Sequence, residues 1–451
     1  MEINTAIVAG TGKSGISATK LLVNHGVKVY LFDENKDRDI EAIKEKTGDS
    51  ELVQIELGEL GEDALSSSQL MVISPGIPVD APFTDVVRNA GIPIWSEIEL
   101  AYHYGKGKIA AITGTNGKTT TTALVGEIVK AHNAKTIVVG NIGIPYTELC
   151  DTTDDDSDTV AEISSFQLET VIDFHPNVSA ILNLTPDHLN RHYTFENYGN
   201  VKFSITKNQT MDDVTVLNYD DEHTRAMGEK AKDHCHVVYF SRLEKPAGGV
   251  YVEDGDIILE DGDKKINVLA IKDLKLMGAH NVENVLAAVG ISYYMGVPVD
   301  VIRDVATSFK AVAHRIEYVD TIDGVAYYND SKGTNPDAAI KAIQAMKRPT
   351  VLIGGGYDKG SEYTEWINSF DGKVKKLILL GDTKEKIAAD AEKCGFKDYM
   401  FVDSFEEAVL TAAKIAESGE AVLLSPACAS WDMFPSYEVR GEKFKEIVNS
   451  L

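Results

Sequence analysis

Apolar residues along this chain gather in short runs, separated by stretches with helical spacing. Near the N-terminus the runs are "NTAIVAG", "VKVYLFD", "LMVISPG" and "IPIWS". Runs of this kind, ended by Gly, Pro or Asp, predict strands buried on both faces. Their alternation with helical patterns predicts βαβ units on a parallel sheet. A second set, "KIAAITG", "KTIVVGN", "TVAEIS", "VSAILNL" and "VTVLNYD", follows from about residue 97. A third begins near residue 312 with "HRIEYVDTIDGVAYYND" and continues with "PTVLIGGG", "KKLILLG" and "AVLLSPA". The chain reads as an α/β protein of three domains, residues 1–96, 97–311 and 312–451. Its 451 residues allow this, since domains average roughly 150 residues.

Composition places the chain among ordinary globular proteins, with 43% apolar and 25% charged residues. No run approaches the ~18 apolar residues of a membrane span. The N-terminal "MEINTAIVAG" enters a strand directly, without a basic leader or cleavage site. Membrane insertion and secretion are therefore not expected, and a cytoplasmic location is. Cysteines 150, 235, 394 and 428 form no CxxC and suit a reducing compartment. Cys235 lies between His234 and His236, a trio that reads as a strand edge more readily than as a metal site. The acidic run "DTTDDDSD" (151–158) reads as a solvated loop. A formal net charge of −26 argues against nucleic-acid binding, which needs basic surface.

Against that acidity stands "AAITGTNGKTTTTALVGEIV" (110–129). An apolar strand runs into a glycine-rich turn and then a helix. Small residues let backbone N–H groups converge, the helix N-terminus adds partial positive charge, and Lys118 can reach phosphate oxygens. Thr119 follows it, where a hydroxyl meets Mg²⁺ in phosphate loops. The pattern is a variant: position 112 is Ile, and the first glycine of the loop is Gly114. A second turn, "AGTGKSG", carries Gly10, Gly12 and Gly15, with Asp33 at the end of the next strand. This fits a dinucleotide fingerprint, another nucleotide site or a structural turn. Glu162 at the end of "TVAE" is placed to hold Mg²⁺. His188 follows a further apolar run, and Tyr198 and Lys202 share one helix face. Cations and hydroxyls recur at the strand ends of the third segment: His314, Arg315, Asp330, Lys332, Thr334, Lys359, Ser425, Ser430, Trp431 and Tyr437.

Together "TGTNGKTTTT", "GNIGIP", "EISSFQLE", "NLTPDHLNRH", "NYGNVKFSI", "MGAHNVENVLAA", "AHRIE", "NDSKGTNP" and "LLSPACASWDMFPSYEVRG" resemble the Mur ligases of bacterial cell-wall precursor synthesis, in family order and over essentially the whole chain. "EISSFQLE" and "SPACAS" resemble the branch that adds D-glutamate to UDP-N-acetylmuramoyl-L-alanine. The resemblance implies a Rossmann-like N-terminal domain for the UDP part of the substrate, a central P-loop ATPase-type domain, and a Rossmann-like C-terminal domain that brings the amino acid. It implies ATP contacts from Gly114, Thr115, Asn116, Gly117, Lys118, Thr119, Thr120, Asn281, Asn284, Arg315, Asp330 and Lys332. Thr119, Glu162, His188 and Lys202 are implied for two Mg²⁺ sites, with Lys202 carried as a carbamate and Lys118, His188 and Lys202 catalytic. The UDP substrate falls to Lys13, Ser14, Asp33, Glu34, Ser74, Gly76, Asn141, Ser164 and Gln167. D-glutamate falls to Thr334, Lys359, Ser430, Trp431 and Tyr437. Trp431 stands where the family often has an aliphatic residue, and Tyr437 where phenylalanine is common. "DENK" (33–36) offers no clear basic group for a uridine. A monomer that binds neither nucleic acid nor membrane is expected.

The implied reaction activates a carboxylate by phosphorylation, and an amine then displaces the phosphate. Bringing a carboxylate to within 4 Å of a phosphate charge costs ~4 kcal/mol at an effective dielectric near 20. Lys118, Arg315, Lys332 and Mg²⁺ would offset this, so an acidic surface is compatible with a locally cationic site. Rival readings are a sister ligase or a folylpolyglutamate synthetase-like ligase using another amino acid, an NAD-dependent oxidoreductase, and a non-catalytic nucleotide-binding protein. The oxidoreductase leaves "TGTNGKTT" unexplained. Lys118→Ala is expected to abolish ATP turnover and to spare UDP-substrate binding; nucleotide assays and equilibrium binding check the two halves separately.

Overall fold

The structure, a computed structural model, describes residues 3–141, 143–276, 278–310 and 313–451. Two compact units emerge, Met1–Asp273 with Glu283–Thr307, and Leu274–Val282 with Ser308–Leu451.

The first unit holds two sheets. β1 (Thr5–Ala9), β2 (Lys28–Asp33), β3 (Val53–Leu57), β4 (Leu70–Ile73) and β5 (Ile94–Ser96) form a sheet of order β3-β2-β1-β4-β5. Every pair is parallel. The strand order reverses between β1 and β4, and doubly wound sheets bind ligands in the crevice at such a switch point. Gly15, in the Lys13–Asn24 helix, explains the third glycine of "AGTGKSG": a Cβ there would lie 1.8 Å from the Gly10 carbonyl oxygen. The helix can pack this close to β1 only without a side chain.

The second sheet contains β6 (Lys108–Thr113), β7 (Ile137–Gly140), β8 (Asp158–Glu162), β9 (Val178–Ile181), β10 (Val214–Asn218) and β11 (His236–Ser241). It continues through β12 (Gly249–Glu253), β13 (Asp256–Asp261) and β14 (Lys264–Ala270) in the order β14-β13-β12-β11-β10-β9-β6-β8-β7. Strands β7 to β12 pair in parallel with their neighbours and with β6, and β13 and β14 close the edge antiparallel. The apolar faces of both sheets share one core, which includes Val8, Leu22, Trp95, Ile109, Phe174 and Leu184.

The second unit is built on β15 (Glu317–Ile322), β16 (Val325–Asn329), β17 (Thr350–Gly354), β18 (Val374–Leu379), β19 (Tyr399–Phe401) and β20 (Ala421–Leu424). Their order is β15-β16-β20-β17-β18-β19, with an antiparallel hairpin at one edge and parallel pairs elsewhere. Trp366 and Phe370 fill the core on one face, Phe405 and Phe444 on the other.

Strands β3, β11 to β14 and β19 lie outside the apolar runs of the sequence reading. Most are edge or near-edge strands; β3 alternates Gln and Glu with apolar residues, β13 ends in charged residues and β14 begins with them. The reading also ends the central segment at residue 311, whereas Leu274–Val282 packs with the C-terminal unit. No helix among the described residues is long and apolar enough to cross a membrane. Cys235 is buried and immediately precedes β11, and burial pushes its thiol up to about 11. Gly15→Ala is expected to cost about 2–3 kcal/mol, the range of a severe backbone clash. A lowered thermal midpoint, with UDP-substrate binding weakened in proportion, checks it.

Candidate active site

At the β1/β4 switch point lies a cavity of about 470 Å³. It brings together Lys13, Ser14, Asp33, Glu34, Ser74, Gly76, Asn141 and Gln167. Ser164 is not on the wall. It caps the short Ser165–Leu168 helix, and its N–H and hydroxyl donate to Gln167 Oε1 at 3.0 and 2.9 Å. Ser164 thereby holds Gln167, which lines the cavity.

Asp33 also differs from a free ribose acceptor. Its Oδ2 accepts from Thr11 N (3.1 Å), Thr11 Oγ1 (2.6 Å) and Arg38 Nε (3.2 Å), and Oδ1 accepts from Asn35 N (3.0 Å). Burial acts to raise this carboxyl, but the hydrogen bonds and Arg38 outweigh it and hold the group below the usual carboxylate range. Asp33 thus shapes the glycine-rich turn from behind. Arg38 also lines the cavity and places a guanidinium there. Two residues after "DENK", it carries no mark in the sequence that separates it from a surface arginine.

The phosphate-type loop joins β6 to the Lys118–His132 helix. Gly117 has φ +85°, and a Cβ there would meet Asn284 Oδ1 at 2.2 Å, so glycine is required on both counts. The loop is held by its neighbours. Asn116 N donates to Asn183 Oδ1 at 2.8 Å, Asn183 Nδ2 returns a bond to Asn116 O at 3.0 Å, and the Thr115 and Tyr198 hydroxyls lie 3.1 Å apart. Thr119 and Thr120 occupy the first turn of the helix. Asn284 faces the loop from behind, its Oδ1 3.4 Å from Thr121 Oγ1. Asn281 is buried in the stretch that belongs to the second unit.

Two lysines converge on one carbonyl. Lys118 Nζ donates to Gly114 O at 2.8 Å and to Thr115 O at 2.9 Å, and Lys202 Nζ donates to the same Gly114 O at 2.9 Å. Lys202 is 1% exposed and sits 4.7 Å from the centre of the Tyr198 ring. Burial, then the charge of Lys118, hold its amine well below the usual ammonium range, against the opposing pull of Asp187 and Glu162. Asp187 is a group the sequence reading passes over, although it adjoins His188. Glu162 ends β8, is buried, and accepts from Asn141 Nδ2 at 3.0 Å. His188 has φ +54° and packs edge-on to Phe166, with its side chain 43% exposed.

In the second unit the candidate residues gather around the C-terminal ends of β16, β17 and β20. Lys332 lies over the Tyr437 ring, 5.4 Å from its centre. Tyr357 N bonds Ala429 O at 3.0 Å, joining the exposed Lys359 loop to the loop that holds Ser430 and Trp431. Trp431 is 64% exposed against Tyr357, while the Ser430 hydroxyl is buried and has no hydrogen-bond partner among the described residues. Thr334 is half-buried beside Lys332.

Arg440, absent from the sequence reading, organises these loops. Fully buried, it donates to Ser331 Oγ (2.9 Å), Ser331 O (2.8 Å), Cys428 O (3.1 Å) and Ala429 O (3.2 Å). Asp330 accepts from Ser425 Oγ at 2.7 Å and Ile316 N at 3.2 Å. Burial raises its carboxyl to about 6, against the opposing charge of Arg315.

The N-terminal, middle and C-terminal parts match three family profiles: Mur ligase MurD-like, N-terminal domain (residues 4–96), Mur ligase middle domain (112–292) and Mur ligase, glutamate ligase domain (314–428). The chain belongs to the Mur ligase family. It is 54% identical to the UDP-N-acetylmuramoylalanine--D-glutamate ligase of Lachnospira eligens, over all of both chains. It is 51% identical to that of Lachnoclostridium phytofermentans, over 99% of this chain and 98% of the relative. Its fold is similar to that of UDP-N-acetylmuramate-alanine ligase from Thermotoga maritima, with a TM-score of 0.62 at 19% identity over the whole of both chains.

The raised Asp330 carboxyl has a consequence for stability. A folded-state value near 6 against an ordinary 3.8 means that folding favours the protonated form. Its contribution is fully present below pH 3.8 and is lost as pH rises through about 6. The stability of the native chain minus that of Asp330→Asn is expected to fall across this window, as read by denaturant titrations at successive pH values.

Proposed function

We propose that this chain joins the amino group of D-glutamate to the carboxyl group of UDP-N-acetylmuramoyl-L-alanine while ATP becomes ADP and phosphate. The observation that carries the reading is the convergence of Lys118 and Lys202 on the Gly114 carbonyl, at the start of a helix and in the same unit as the β1/β4 cavity. The naming of relatives that match from end to end supports the choice of substrates.

In the first step a substrate carboxylate oxygen attacks the terminal phosphorus of ATP, the bridging P–O bond breaks, and ADP leaves. Lys118 and the N–H groups of the 114–119 loop hold the phosphates and offset the repulsion between them and the carboxylate. In the second step the amine of D-glutamate attacks the acyl carbon of the acyl phosphate. The tetrahedral intermediate collapses with loss of phosphate, and the nitrogen gives up a proton. On the second unit, Arg315 and Lys332 serve the nucleotide, with Asp330 fixing the loop. Thr334, Lys359, Ser430, Trp431 and Tyr437 serve D-glutamate, and the buried hydroxyl of Ser430 then gains the partner it lacks.

Lys202 is carried as a carbamate. Its amine, desolvated and crowded by Lys118, is shifted toward the neutral form, and that form adds to carbon dioxide, giving an N-carboxylate and releasing a proton. Thr119, Glu162, His188 and this carbamate fit two Mg²⁺ ions, since they offer hard oxygen donors and one imidazole beside the phosphate loop. When bound, the ions supply charge neutralisation on the phosphates. A cytoplasmic site of action suits ATP as substrate and four unpaired thiols.

Phosphate release should require all three substrates plus magnesium, and D-glutamate should outcompete every member of an amino-acid panel. Release independent of the UDP substrate, or equal rates with several amino acids, would reject the reading. Lys202→Ala should lose activity by about a thousandfold, the scale of removing a key electrostatic group. A short carboxylic acid added to that variant should restore part of it.

A further inference from the structure

We propose that Glu97 is a positioning residue for the UDP-substrate cavity: its carboxylate fixes which way round the Gln167 amide sits on the cavity wall. This rests on the assignment of that cavity made above. Glu97 opens the Glu97–Tyr104 helix and is 1% exposed. It lies outside every motif quoted from the sequence.

An amide has two distinct ends, an NH₂ that only donates and an oxygen that only accepts, whereas a carboxylate only accepts. Glu97 Oε1 accepts from Thr147 N at 2.8 Å and Thr147 Oγ1 at 3.1 Å, and Oε2 accepts from Gln167 Nε2 at 3.3 Å. At the other end, Gln167 Oε1 accepts from the Ser164 N–H and hydroxyl. The Ser164 N–H can only donate and the Glu97 carboxylate can only accept, so both neighbours impose the same orientation on the amide between them. Among the described residues no lysine, arginine or histidine pairs with Glu97; only hydrogen-bond donors compensate its burial.

The chain of bonds continues beyond Thr147. Its hydroxyl lies 2.9 Å from Ser17 Oγ, on the helix whose first residues, Lys13 and Ser14, line the same cavity. With the Thr147 proton given to Glu97, Ser17 donates to Thr147. One polarised path, Ser17–Thr147–Glu97–Gln167–Ser164, therefore joins the Lys13–Asn24 helix to Gln167 on the cavity lining.

Glu97→Gln tests this with almost no change of volume. If the new amide keeps its oxygen toward the two Thr147 donors, its NH₂ faces the NH₂ of Gln167. Gln167 must then turn over and point a donor at the Ser164 N–H. KM for UDP-N-acetylmuramoyl-L-alanine should rise about tenfold, on the scale of one lost or inverted hydrogen bond, while KM for ATP and for D-glutamate stays within twofold. Gln167→Ala should give a similar rise, and the double variant E97Q/Q167A should be no worse than Q167A alone. Thr147→Val removes one donor to the same carboxylate but leaves Gln167 its acceptor, so it should lower thermal stability without moving that KM. If E97Q proves too unstable to assay, the exchange E97Q/Q167E restores a donor facing an acceptor at both junctions and should recover the thermal midpoint lost in Q167E; no recovery overturns the inference. An unchanged KM in E97Q beside a raised KM in Q167A also overturns it and leaves the cavity assignment standing. An unchanged KM in Q167A removes both.

Discussion

Two amines donate to the single carbonyl of Gly114, and the rest of the site follows from that crowding. With both nitrogens within hydrogen-bond distance of one oxygen, they lie within about 6 Å of each other, where like charges repel by about 3 kcal/mol at an effective dielectric near 20. Lys118 is half-buried and Lys202 fully buried, so the crowding falls harder on Lys202 and lowers its affinity for a proton. An amine whose protonation is disfavoured by burial and by Lys118, with Glu162 and Asp187 nearby, is chemically far from the surface lysine that its helix position suggests. The loop that brings the two together turns at Gly117, whose left-handed backbone favours glycine and which lies close against the Asn284 side chain.

A protein with a net charge of −26 can handle triphosphates because its cations are concentrated by the fold. The buried parallel strands deliver loops to one edge of each sheet, and helix N-termini and lysines collect there. Beyond the few carboxylates at the sites, acidic residues lie on solvated surface or serve as internal acceptors. Asp33 holds a turn, Glu97 holds Thr147 and Gln167, and Glu99 accepts from the backbone N–H groups of residues 172, 173 and 174.

Much of this was legible in the residues themselves. Buried parallel strands announce themselves as apolar runs, and the turns after β1 and β6 are written in glycine because backbone must approach backbone or phosphate. What could not be read is which polar side chains face inward. Arg440 looks like any exposed arginine until the chain around it is folded, and Arg38, itself exposed, is marked only by its place on the cavity lining. Asp33 matches a ribose-binding fingerprint by spacing, yet its oxygens are engaged by Thr11, Asn35 and Arg38. Ser164 sits in a motif that touches the cavity, and its bonds go to Gln167 on the cavity lining. In each case a spacing rule locates a residue along the chain, and its role depends on hydrogen-bond partners that are distant in sequence.

The cysteines bear on how such an enzyme can be inhibited. Cys150, Cys235 and Cys428 are buried, and burial raises all three thiols, the first to about 12 and the second to about 11. At neutral pH they hold almost no thiolate, the form that electrophiles capture. Cys428 adjoins the loop bearing Ser430, yet its sulfur is enclosed by the Tyr363 and Thr383 hydroxyls at 3.1 and 3.2 Å. Alkylating warheads thus find no ready anchor beside the chemistry, and tight inhibitors must work by shape and charge.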